Sequence, residues 1–107
     1  MNGEIDNSKF IPSILANTDE DLDQLIERFI EEAKTYAEQI TNAVSACDLE
    51  QARALAHRLR GAGGGYGYPC LTDKAAEIEI AAQSQDQDLA TVSAEHLSDL
   101  VSRIILR

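Results

Sequence analysis

The sequence has no tryptophan, and aromatic residues make up only 5% of it. A core built from this chain must therefore consist mainly of leucine, isoleucine, valine and alanine, which favours packed helices. The chain shows no strand-like alternation of apolar and polar residues, no internal repeat and no low-complexity run. No stretch approaches the length of a membrane span, and the N-terminus lacks the features of a signal peptide. We therefore expect a soluble, cytoplasmic protein that does not contact a membrane.

Positive charge is scarce, with 9 lysine and arginine residues against 19 aspartate and glutamate residues and a net charge of -10. This balance argues against nucleic acid and anionic membrane surfaces as partners, because both select for lysine and arginine. The few basic residues are unevenly placed. Arg53, Arg58, Arg60 and Lys74 all fall near His57 in the sequence. An acidic chain with a local basic patch indicates one specific anionic target.

Cysteine and histidine are also rare, with two of each. If one helix separates Cys47 from Cys70, they lie roughly 25–30 Å apart, which is beyond the reach of a disulfide. Two free thiols fit a reducing compartment, and we interpret both as small core residues at helix ends. None of the four residues has the spacing of metal ligands, so we expect no metal site.

Apolar residues at helical spacing divide the chain into five predicted helices. A short helix over 8–15 comes first. A long helix follows an N-cap signal at Thr18–Asp21, and a second begins at a capping box over Asp48–Gln51. The remaining two cover about 69–83 and 88–105. Because the connections are short, we predict an all-α fold, an antiparallel up-down-up-down four-helix bundle with a short additional N-terminal helix. Residues 1–107 are predicted to form one domain, with 1–7 flexible.

His57 occupies an unusual place in its helix. The apolar stripe of that helix lies about 160° away from it, so His57 is predicted to point to solvent. Its neighbours on the adjacent turns are Arg53, Arg60, Gly61 and Gly64. Arginines supply donor forks that suit a phosphate, and glycines let a second protein come close. This arrangement suits a histidine that is phosphorylated and then approached by another protein. His96, at the flank of the last apolar face, is interpreted instead as a partly buried packing residue.

The run from Ala56 to Glu79 resembles the signature of the histidine-containing phosphotransfer (HPt) domain. That signature is roughly A-H-x-L-K-G, then a small residue and glycines, then an apolar helix ending near L-E. Here the first part is Ala56-His57-Arg58-Leu59-Arg60-Gly61, and the later positions are matched by Gly64, Gly67, Leu71 and Ile78-Glu79. Two residues depart from the pattern. Arg60 replaces the usual lysine, and Lys74 stands where an apolar residue is common, which leaves the start of the third bundle helix open.

The resemblance implies a shuttle in a two-component phosphorelay. His57 would accept a phosphoryl group from the aspartate of a receiver domain and pass it to another receiver, with a hybrid sensor histidine kinase upstream. Arg60 and Arg53 would stabilise the phosphoryl group, and Arg58, Gly61 and Gly64 would contact the partner. The chain would need no cofactor and would have no autonomous kinase or ATP site.

Other functions fit the residues less well. The glycine cluster lacks the P-loop pattern, the serines lie far from His57, and the acidic run from Glu20 to Glu38 follows the solvated faces of a helix. One alternative stays open, which is a non-catalytic helical module that binds an acidic partner through a face formed by Arg53, Arg58 and Arg60.

Overall fold

The structure is a computed structural model that describes residues 10–16 and 19–106. Four helices dominate it: α1 (Glu20–Ser45), α2 (Leu49–Gly65), α3 (Pro69–Gln83) and α4 (Gln87–Arg103). Helix α2 packs against α1 and α3, and α4 packs against the same two helices, so the four form a closed ring. The core inside this ring is made mostly of alanine, leucine and isoleucine, together with Phe29 and Tyr68. The predicted four-helix, all-α fold is confirmed at this level.

Aspartate side chains begin three of the four helices. Asp19 accepts hydrogen bonds from the backbone N–H groups of Asp21 and Leu22, and Asp48 accepts one from Gln51. Asp86 does the same at the start of α4. Each carboxylate satisfies backbone donors that have no partner within the helix and complements the helix dipole. Helix α3 has no such side-chain cap and begins instead with Pro69, whose fixed φ suits a first turn.

The N-terminal helix predicted over 8–15 is wrong for its described part. Ile11–Pro12 form a short strand, β1, that pairs in parallel with β2 (Ile104–Ile105), and α4 therefore ends at Arg103 instead of continuing to 105. Residues 1–9, including the start of that predicted helix and the segment expected to be flexible, lie outside the described residues. The apolar residues at 10, 11, 14 and 15 fit helical spacing equally well, but tertiary hydrogen bonds decide the conformation: Ser13 N–H donates to the carbonyl of Ile105 at 3.2 Å.

The turn between α2 and α3 is tied to both ends of the described chain. Gly67 has a φ of +88°, and a Cβ there would collide with the Oγ of Ser13, so only glycine fits without strain. Ser13 Oγ donates to the carbonyl of Tyr66 at 2.6 Å, and Tyr68 Oη donates to the carbonyl of Ile105 at 2.6 Å. Burial of Tyr68 raises its pKa to about 12. These contacts fix the C-terminal end of α2.

Several side chains differ from their predicted environment. Cys47 is exposed and is not a core residue, while Cys70 is half-buried, and neither forms a disulfide. Leu89 and Val92, which have the apolar spacing expected for the buried face of the last helix, are exposed by 43% and 45%. Small residues explain the difference, because Ala90, Ser93 and Ala94 occupy the buried face of α4 and allow it to approach the other helices closely.

Candidate functional site

Helix α2 presents His57 to solvent. The opposite face of the helix is buried through Ala52, Leu55, Ala56 and Leu59. The side chain of His57 is 61% exposed, in agreement with its predicted orientation. The imidazole is therefore open to a second molecule while its backbone is held by a packed helix.

The imidazole of His57 is oriented by a carboxylate from α3. His57 Nδ1 lies 3.0 Å from Oε2 of Glu79, and Glu79 is only 7% exposed. Arg60 contacts both groups, with Nη1 at 3.2 Å from Glu79 Oε1 and Nη2 at 3.4 Å from His57 Nδ1. Glu79 Oε1 is buried and has no hydrogen-bond partner among the described residues, so its contact with Arg60 is an ion pair and not a hydrogen bond. The site is thus a triad in which Glu79 balances the charge of Arg60.

The carboxylate determines which nitrogen of His57 can react. An ionised carboxylate only accepts hydrogen bonds, so a neutral His57 next to Glu79 carries its proton on Nδ1. The weaker contact with Arg60 would require a lone pair on Nδ1, which would then face the carboxylate oxygen at 3.0 Å. With the proton on Nδ1, the lone pair is on Nε2. The arrangement makes Nε2 a nucleophile on an exposed ring.

Close packing of α2 on α3 brings Glu79 within reach of His57. A Cβ at Gly63 would lie 3.1 Å from Thr72 Oγ1 and 3.2 Å from Leu71 Cβ, so a larger residue would push the helices apart. Thr72 Oγ1 also donates to the carbonyl of Arg60 at 3.1 Å. The glycine cluster therefore has a structural role that the sequence interpretation did not assign to Gly63.

Gly61 and Gly64, predicted to contact a partner, are both exposed and follow His57 by one and two turns. A Cβ at Gly61 would have no atom within 4 Å, whereas one at Gly64 would lie 3.3 Å from Thr72 Oγ1. Of these two glycines, Gly61 alone leaves open space above it. Gly64 combines an exposed surface with tight packing against α3.

The three arginines do not form one face. Only Arg60 contacts His57 and Glu79. Arg58 lies on the α1 side of α2, in a depression that it shares with Glu32, Thr35, Tyr36 and Gln39. Arg53 is half-buried one turn before His57, in a depression that includes Ala82 and Gln83 at the end of α3. Arg58 therefore lies toward α1, apart from the contact between Arg60 and Glu79.

His96 is exposed, and the prediction of a partly buried packing residue is wrong. Its Nδ1 lies 3.5 Å from Nζ of Lys74 on α3, and the same ammonium group forms an ion pair of 2.8 Å with Glu77. The prediction failed because His96 lies at the edge of the α3–α4 contact, where small alanines fill the interface.

Glu79 is the residue that sequence reasoning missed, since it was noted only as the end of a motif. A signal was available. Glu79 directly follows Ile78, at the flank of the buried stripe of α3. A buried carboxylate requires a charged or hydrogen-bonding partner, so the position of Glu79 predicts such a partner on the facing helix.

Within residues 10–16 and 19–106, no three histidine, cysteine, aspartate or glutamate side chains are grouped so that they could hold a metal ion. None of the helices in this part of the chain is both long enough and apolar enough to span a membrane. The sequence model of the Hpt domain matches residues 24–105, which is most of the chain. No curated protein and no solved structure matches it.

Proposed function

Because this chain belongs to the Hpt domain family, whose members are phosphotransfer modules of two-component signalling, we propose that His57 is its phosphoacceptor. In this proposal, a receiver domain of a hybrid sensor histidine kinase delivers a phosphoryl group from its aspartate to His57. A second receiver then takes the group from His57. One observation supports the assignment above others: His57 is exposed, and its Nδ1 is held by the buried carboxylate of Glu79 at 3.0 Å.

The transfer needs no proton to leave His57 during attack. The lone pair of Nε2 forms a bond to phosphorus while the bond between phosphorus and the aspartyl oxygen breaks, and the aspartate leaves with the electron pair. The proton stays on Nδ1, so positive charge develops on the ring. Glu79 is already placed to stabilise that charge, and such preorganised stabilisation lowers a barrier without reorganisation.

Arg60 serves two purposes in the proposal. The guanidinium group of Arg60 balances the negative charge of Glu79. It also adds positive charge beside the imidazole, where it would stabilise the oxygens of the arriving phosphoryl group. Arg53, one turn before His57, supplies a second positive charge that would face an approaching acidic receiver. Nucleotide and magnesium chemistry is assigned to the partners, so the chain acts without a kinase or ATP site of its own.

The surface around His57 is proposed to contact the receiver through Gly61, Gly64 and Arg58. Gly61 in particular has no atom within 4 Å of its Cβ position, so a flat partner surface can come close there. We further infer that residues 1–107 form one cytoplasmic domain. The short connections over 46–48, 66–68 and 84–86, each between two helices that contact one another, support an antiparallel up-down-up-down order of the four helices.

The direct test is incubation with a purified, phosphorylated receiver domain. Wild type and His96→Gln should acquire an acid-labile, base-stable phosphate, and His57→Gln should acquire none. Both substitutions are at exposed positions and should change the free energy of unfolding by only about 0.5 kcal/mol. Urea unfolding monitored by circular dichroism provides that control. Phosphate on a folded His57→Gln variant would overturn the assignment.

A further inference from the structure

The two histidines of this chain contact the same helix through the same ring nitrogen, but with partners of opposite chemistry. Nδ1 of His57 faces the carboxylate of Glu79 at 3.0 Å, and Nδ1 of His96 faces the ammonium group of Lys74 at 3.5 Å. Both rings belong to exposed residues, so exposure alone does not explain why one of them would be phosphorylated and the other not.

The two hydrogen-bond partners favour different tautomers of the two imidazoles. An ammonium group has three N–H donors and no acceptor, so neutral His96 must offer a lone pair on Nδ1 and carry its proton on Nε2. A carboxylate imposes the opposite tautomer on His57. The free lone pair is therefore on the outward nitrogen of His57, whereas the only lone pair of His96 is occupied by Lys74.

The position of Lys74 is itself fixed. Its side chain is only 18% exposed, and its Nζ forms a 2.8 Å ion pair with Glu77. On α4, Asp99 and Arg103 lie one and two turns beyond His96 and pair with each other at 3.0 Å. Of the charged groups that line the depression beside His96, Lys74 pairs with Glu77 and Asp99 pairs with Arg103, and Lys74 is the donor that faces the ring.

We propose that Lys74 is a specificity-determining residue, which lowers the reactivity of His96 toward phosphodonors by occupying its Nδ1 lone pair and so favours His57 as the phosphoacceptor. This inference rests on the proposed function of His57 for its biological meaning. The tautomers themselves do not depend on that function, and they can be measured separately.

The first experiment needs no substitution. Long-range nitrogen–proton NMR of the protein labelled with nitrogen-15, at about pH 8 where an ordinary imidazole is neutral, reports which ring nitrogen carries the proton. We expect Nδ1–H for His57 and Nε2–H for His96, and we expect the His96 nitrogen signals to shift in Lys74→Met. A proton on Nδ1 of His96, or no response to Lys74→Met, would overturn the proposal. If a receiver fails to phosphorylate His57 while the tautomers are as stated, only the proposed function fails.

The second experiment removes the competing site and uses phosphoramidate, a small phosphodonor that needs no docking surface. In the His57→Gln background, the added substitution Lys74→Met should raise the rate of His96 phosphorylation about fivefold, as expected for release of one hydrogen bond. Lys74→Arg, which keeps a donor, should restore protection. Equal rates in His57→Gln and His57→Gln/Lys74→Met would overturn the proposal. Methionine has a similar length to lysine, and circular dichroism checks that α3 stays folded.

Discussion

Glu79 and His57 are 22 residues apart in the sequence and belong to different helices, yet Oε2 of Glu79 lies 3.0 Å from Nδ1 of His57. The imidazole of His57 and the carboxylate that orients it are therefore brought together by the packing of α3 against α2. That packing depends on Gly63, whose missing side chain leaves room for Thr72. The orientation of a ring at the surface of α2 is in this way controlled by how closely α2 packs on α3.

We predict that Glu79→Gln slows phosphotransfer to His57. Glutamine keeps the size and one acceptor oxygen, but it loses the negative charge that stabilises the ring as the phosphoryl group arrives. A hydrogen bond to a charged group contributes about 1.5–3 kcal/mol, so loss of the charge should reduce the rate roughly tenfold or more. Rapid-quench measurement of transfer from a phosphorylated receiver tests this. Glu77→Gln on the exposed side of α3 is the matched control and should keep the wild-type rate.

Arg60 provides the next prediction. Arg60→Ala removes the partner of the buried Glu79 and the positive charge beside the phosphoryl oxygens, so transfer should be slower or the phosphohistidine shorter-lived. Arg60→Lys should retain most of the activity, since a lysine at this position keeps the charge. Transfer rates and the half-life of the phosphorylated protein are measured for both variants. Wild-type values for Arg60→Ala would remove Arg60 from the site.

The sequence contained enough information for the four helices and for the exposure of His57, because amphipathic spacing and aspartate caps act locally. The conformation of residues 10–16 could not be predicted from the sequence, because residues in this segment form hydrogen bonds with Ile105 and with Gly67, which are distant in the sequence. The environment of His96 was missed for a similar reason. A wheel projection gives the direction of a side chain, but Lys74 on the neighbouring helix decides its contact.

The same limit applies to the site. Spacing along one helix grouped His57 with Arg60, which contact each other in the structure. The arginine face considered as an alternative also included Arg58, which lies beside α1 residues such as Tyr36. Glu79 was not assigned a role because a contact between two helices depends on their relative height and separation. Those quantities follow from packing around Gly63 and Thr72, which no single helix reveals.

Tyr68 should make the fold sensitive to alkali. Burial raises its pKa to about 12, above the ordinary value of about 10, so the folded state holds this proton more tightly than the unfolded state. The resulting stability is complete below about pH 10 and is lost as the pH rises toward 12, by about 1 kcal/mol at pH 11. Tyr68→Phe lacks this loss but also lacks the hydrogen bond to Ile105, which contributes about 1 kcal/mol.

At pH 8 the free energy of unfolding should therefore be larger for wild type than for Tyr68→Phe, and the two values should become equal near pH 11. Urea unfolding at both pH values measures the free energies. The other tyrosines and the lysines titrate in both proteins and cancel in the difference. Stability curves that stay parallel between pH 8 and 11 would contradict the assignment of this alkaline loss to Tyr68.

The last prediction concerns the open surface above Gly61. If a receiver lies against this side of α2, a glutamine at position 61 should block docking and lower receiver-dependent transfer at least about tenfold, because displacing a partner by one side chain costs more than about 1.4 kcal/mol. The fold should be unchanged or slightly more stable, since Gly61 is a helical glycine with no atom within 4 Å of its Cβ position. Phosphoramidate, which needs no docking, should modify His57 in the variant and in wild type at the same rate.

Gly65→Gln is the matched control, because Gly65 is also exposed, also has open space, and lies about 80° around the helix from His57. It should transfer normally. Gly64→Gln is expected to lose receiver transfer too, but there Thr72 Oγ1 lies 3.3 Å from the new Cβ and must shift, so loss of activity at 64 mixes docking with packing. Gly61 separates the two effects. A folded Gly61→Gln variant with normal receiver transfer would show that the partner does not use this side of α2.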